Sequence, residues 1–136
     1  MVMDGQRVLD SLKEEAGLCA ELAELRVEQR RLIDAGEAEQ LLEVLARKQR
    51  TIGRITEIED RLKPIKTHWD ECRRQYPAAS RLAIGEAFRQ VRSLLEDLIA
   101  KEKALRDANE RLASLERSVA ELQRLLELKS KTLAEL

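Results

Sequence analysis

Between residues 84 and 133 an apolar side chain returns at every seventh position without a miss: Ile84, Val91, Leu98, Leu105, Leu112, Val119, Leu126 and Leu133. Three residues after each stands Ala87, Leu94, Lys101, Ala108, Leu115, Leu122, Lys129 or Leu136. A heptad sustained over this length is a coiled-coil-like helical surface with an a/d seam, here interrupted by Lys101 and Lys129. The pattern does not name the partner that fills the seam.

The rest of the chain is also written for helix. From Asp4 to Ile33, the residues Val8, Leu9, Leu12, Ala16, Cys19, Leu22, Ala23, Leu25, Leu32 and Ile33 make an apolar stripe at helical spacing. A second stripe runs through Leu41, Leu45, Ile52, Ile55, Ile58, Leu62, Ile65, Trp69, Cys72 and Tyr76. Five glycines and two prolines are too few for the turns of a sandwich or barrel. Charged residues make up 38%, against roughly 25% in an average soluble chain.

Two breaks punctuate these stripes. At Asp34-Ala35-Gly36-Glu37, Gly36 could end the first helix in the left-handed conformation, or Asp34 could cap the second. At Tyr76-Pro77, the residue before proline is driven out of helical geometry. Pro64 interrupts the second stripe, and Thr67-x-x-Asp70 could cap a fresh helix after it. The unbroken stripe outweighs that break and predicts a kink near Pro64. The expectation is an all-α fold: one helical domain over 1–136, with helices at about 4–33, 37–76 and 79–136. Folded at the two turns, it is an elongated antiparallel three-helix bundle or coiled coil.

The helices are unequal. At 1.5 Å per residue the three measure about 45, 60 and 85 Å. Folding the third back on the second sets Glu37 against about residue 118. Residues 119–136 are then expected to overhang, still carrying Val119, Leu122, Leu125, Leu126, Leu128, Leu133 and Leu136. Fully burying each such side chain is worth about 1.5–3 kcal/mol. The candidate partner-binding residues are therefore Leu112, Leu115, Val119, Leu122, Leu126 and Leu133, which suit reversible capture of a helix. A homodimer burying the same seam is the competing reading.

Little in the chain points to chemistry. His68 and Cys72 stand at i and i+4, but two ligands make no metal site, so no metal and no cofactor is expected. The acids Glu14-Glu15 and Glu57-Glu59-Asp60 read as solvated helix faces rather than a desolvated catalytic pair. No phosphate loop or nucleophile–base motif occurs, and the reading is of a non-enzyme. With 25 basic against 26 acidic residues interleaved, the chain lacks the positive excess of a nucleic-acid binder. No run approaches the roughly 20 apolar residues of a membrane span, and no segment reads as a signal peptide. Two cysteines, Cys19 and Cys72, suit free thiols in a reducing cytoplasm. Trp69, Tyr76 and Phe88, the only aromatics, are expected to plug one end of the bundle.

Leu41-Leu42-Glu43-Val44-Leu45-Ala46-Arg47-Lys48-Gln49-Arg50-Thr51-Ile52 follows the Asp34–Gly36 turn and a Glu- and Leu-rich helix. This arrangement resembles the FlgN-like family of flagellar type III export chaperones, in which a Lys-Gln pair and a Leu/Ile stripe occur on the second helix. The resemblance covers about residues 8–63. It implies a cytoplasmic chaperone that binds helical terminal segments of hook–filament junction (hook-associated) proteins and hands them to the export apparatus. It also implies cargo binding through the C-terminal helix, at Leu112, Leu115, Val119, Leu122, Leu126 and Leu133. The alternatives are a structural homodimeric coiled-coil scaffold and an export-apparatus stalk or escort protein.

Overall fold

In the computed structural model, which describes residues 3–135, α1 (Gly5–Ala35) and α2 (Ala38–Thr67) form an antiparallel hairpin. A one-turn helix, α3 (Trp69–Cys72), and a 3₁₀ turn (Arg73–Gln75) follow, and then α4 (Ala78–Glu135). The fold is an all-α helical bundle. The chain divides into two compact units, Met1–Ile99 and Ala100–Leu136, with the boundary inside α4.

The turn between α1 and α2 is made by Gly36, at φ 71° and ψ 25°. Its N–H bonds to the Ile33 carbonyl at 3.2 Å, and the Glu37 N–H reaches the Leu32 carbonyl at 3.1 Å. This pair of bonds satisfies two carbonyls that a helix end otherwise leaves open. Gly36 is the only described residue with positive φ, where a side chain would be strained. Arg54 with Glu14 (3.5 Å) and Arg47 with Glu21 (3.8 Å) span the hairpin and report its antiparallel register. Both pairs are exposed and contribute little to stability.

The first unit holds the main core. Val8, Leu12, Leu18, Cys19 and Leu22 of α1 meet Ile55, Ile58, Leu62 and Ile65 of α2, and Ile84, Val91 and Leu98 of α4. Leu25, Leu32 and Val44 form a smaller cluster with Leu41, drawn from α1 and α2 alone. The buried positions of α2 run Val44, Lys48, Thr51, Ile55, Ile58, Leu62 and Ile65. The expected stripe through Leu45 and Ile52 is therefore corrected by one position in the first half of this helix. Ile52 is exposed and Leu45 only half-buried. Lys48 is tolerated inside because its Nζ donates to Gln29 Oε1 at 2.8 Å, and Thr51 because its hydroxyl donates to the Arg47 carbonyl at 2.9 Å.

The expected second helix over 37–76 also needs correction. α2 passes through Pro64 and ends at Thr67. His68, at φ −113° and ψ 31°, separates it from α3. Pro64 cannot donate to the carbonyl one turn back, so the last turn of α2 has one bond fewer to hold it. The chain then bends to carry aromatic side chains onto the end of the core. Tyr76 lies buried on Gly5, where an added Cβ would meet the ring at 3.3 Å. Its hydroxyl donates to the Met3 carbonyl at 2.6 Å. Trp69 stacks on Tyr76 at 6.1 Å and meets Phe88 edge-on at 5.6 Å. The three aromatics gather at one end of the bundle, as the sequence suggests. Tyr76 is extended before Pro77, and α4 starts afresh at Ala78.

Candidate functional site

The seam of α4 changes character along its length. Ile84, Val91 and Leu98 are buried, Leu105 is half-buried, and every residue from Ala108 to Glu135 is exposed. The uncovered stretch thus begins at Ala108, whereas matching the helix lengths puts its start at residue 119. Within the first unit, the inward positions of α2 before Ile55 include the polar Thr51 and Lys48.

All six candidate residues lie in the exposed stretch. Leu112, Leu115, Val119, Leu122, Leu126 and Leu133 are between 51% and 70% exposed. Leu125 and Leu128, also exposed, widen the stripe. Leu136, expected to close the seam, is outside the described residues. From Leu112 to Leu133 the stripe is about 32 Å long. Positions seven apart drift by about 20° per heptad on a straight helix, so the row winds slowly around α4. A partner helix following that row must supercoil with it, and the row is geometrically a coiled-coil half. Along this stretch the Ser118 hydroxyl donates to the Ser114 carbonyl and that of Thr132 to the Leu128 carbonyl, so both polar groups are satisfied on the helix itself.

The acids expected to face solvent do not all do so. Glu15 has no exposed surface at all. Neither of its carboxyl oxygens meets a hydrogen-bond donor. Its carboxyl is pushed up to about 8, first by burial and then by the neighbouring Glu59, with Lys66 pulling the other way. Burial works upward on Glu59 too, but Glu15 and Lys66 win and hold it below the usual carboxylate range. Lys66 Nζ stands 2.9 Å from Glu59 Oε2 and 3.2 Å from Oε1, and 5.8 Å from the Phe88 ring centroid. Glu15 is thus a neutral acid beside an ionised, lysine-paired carboxylate. A neutral carboxyl can donate to Glu59, which an ionised one cannot. Burial, then Glu15 and Glu59, raise the nearby Cys19 thiol to about 11, which leaves it unreactive. Glu15 is fully enclosed, whereas Glu59 and Lys66 keep about a third of their side-chain surface in solvent at its edge.

No group of three or more His, Cys, Asp or Glu side chains placed to hold a metal ion occurs among the described residues. Both cysteines are free. No helix among the described residues is long and apolar enough to cross a membrane. No protein-family model, curated protein or solved structure matches the chain.

Proposed function

We propose that the protein captures a helical partner along the α4 seam, burying Leu112, Leu115, Val119, Leu122, Leu126 and Leu133 against it. The observation that carries this reading is the run of exposed a/d leucines and valines from Leu112 to Leu133. Solvent-facing helix surface gains nothing from such a row, whereas a second helix converts it into buried area. Lys129 occupies a d position. In a parallel homodimer it would lie across from its own copy, like charge on like charge. A partner with a carboxylate at that layer pairs with it, which favours a different chain as the client. Following the resemblance over residues 8–63, the client is a helical terminal segment of a flagellar hook–filament junction protein, held in the cytoplasm before export. Binding rather than catalysis is the activity.

A specific pair of residues favours a second reading, the homodimeric scaffold. Arg111 at a g position and Glu116 at the following e position are placed to pair between two parallel copies of α4. One experiment separates the readings. Leu122→Asp combined with Leu126→Asp is titrated with the terminal segment of a junction protein, beside wild type. Binding is expected to be lost while the melting temperature stays within about 2 °C, because neither side chain is part of a core. A sharp fall in melting temperature together with loss of a dimer supports the scaffold. Unchanged binding by the double variant removes the seam from the site.

A further inference from the structure

At the other end of α4, α3 and the 3₁₀ turn face the first turns of α4 across an open cleft of about 490 Å³, lined by Trp69, Arg73, Arg74, Arg81, Leu82 and Arg89 with Gly85 at its base. Four of the lining residues carry guanidinium groups and none is acidic. None of these four side chains has a hydrogen-bond or ion-pair partner among the described residues. One turn along, by contrast, Arg92 Nε closes on Glu96 at 3.1 Å. The nearest acids in sequence face elsewhere. Glu71 lies 3.9 Å from His68, and neither Asp70 nor Glu86 lines the cleft. Four like charges around one open hollow give it a positive potential that attracts an anion, the more so at low ionic strength.

We propose that this cleft binds a polyphosphate anion, a run of two or three phosphoryl groups, either free or carried on a nucleoside. Arginine suits such a ligand because its planar fork meets phosphate oxygens two at a time, and because it sheds water more readily than lysine. Arg81 and Arg89 are separated by about 12 Å along α4, more than one phosphate spans. A chain of phosphates touches both while Arg73 and Arg74 close from the facing turn. Gly85 lies between them on α4 and lines the cleft. It has no neighbour within ordinary contact except an Arg89 guanidinium nitrogen at 3.8 Å from where a Cβ would stand. The volume falls in the range of small-ligand sites. A duplex nucleic acid needs basic charge spread along a face, and the chain as a whole carries net −1. The attraction is local to the cleft.

Trp69 lines the cleft and is the only tryptophan, so its emission reports on this site alone. The full-length protein is titrated with tripolyphosphate and, separately, with ATP, exciting on the red edge of indole absorption. Ionic strength is held constant. A saturable change in emission is expected, and Arg81→Gln combined with Arg89→Gln weakens it by about tenfold or more. That variant melts close to wild type, since the two side chains make no hydrogen bond or ion pair among the described residues, and Arg124→Gln on the exposed part of α4 binds as wild type does. Tighter binding of ATP than of tripolyphosphate identifies a nucleoside as carrier, and equal binding identifies the phosphate chain itself. The proposal is overturned by the absence of a saturable response, by equal affinity in the double variant, or by equal affinity for poly-glutamate, sulfate or duplex DNA.

Discussion

Glu15 places a titratable group where a leucine would serve packing better. Its carboxyl goes from the ordinary 4.5 to about 8 in the folded chain. Between those values the native state holds a proton that the unfolded chain has released. Stability therefore falls as pH rises through that window, and the contribution of Glu15 is fully present only below about 4.5. Thermal melts of wild type from about pH 5 to about pH 8.5 are expected to show a steady decline. Glu15→Gln, which keeps the shape and stays neutral, is expected to flatten that slope and to gain on the order of 1–3 kcal/mol at the alkaline end. A wild type with no decline would place Glu15 in water. The sequence carries the signal: Val8, Leu12, Glu15, Cys19 and Leu22 advance by alternating fours and threes, and Glu15 occupies an inward step. Reading only the apolar members, with Ala16 in its place, hides it. Lys48 and Thr51 are hidden in the same way, since a polar residue on an inward step is betrayed by its spacing and not by its type.

At the scale of elements, turns with one chemical solution are legible in the sequence and turns built by tertiary packing are not. Gly36 is readable because a left-handed position between two helices has few other occupants. Gly36→Ala is expected to cost about 1–2 kcal/mol in chemical denaturation, the penalty of a Cβ at that conformation. The end of α2 at Thr67 is not readable, because the stripe through Trp69, Cys72 and Tyr76 keeps helical spacing across a backbone that has already bent. What fixes the bend is the landing of Tyr76 on Gly5 and Met3, a contact between residues far apart in sequence. α4 presents the opposite lesson. Its heptad is uniform, yet Ile84 is fully buried and Leu126 is 66% exposed. Ile84→Ala is expected to destabilise by about 2–5 kcal/mol. Leu126→Ala is expected to stay within about 0.5 kcal/mol. Equal costs would mean that the two positions share one kind of environment. Periodicity states which face is apolar, and only the neighbouring surface decides how much of that face is covered.

Considered whole, the molecule has one well-filled unit, Met1–Ile99, and a second, Ala100–Leu136, whose described residues are a single stretch of helix. The all-α character and the apolar seam follow from composition and spacing alone. The point where burial along the seam ends does not, because the heptad runs unchanged from buried Leu98 to exposed Leu112. Residues 108–135 are, on this reading, an apolar surface left for another molecule. Amide hydrogen exchange followed over 108–135 in the monomeric protein, alone and with a bound helical segment, tests this most directly. Fast exchange in the free monomer and at least about tenfold slower exchange in the complex is the predicted result. Strong protection of these residues in the free monomer, unchanged on adding the segment, would contradict it.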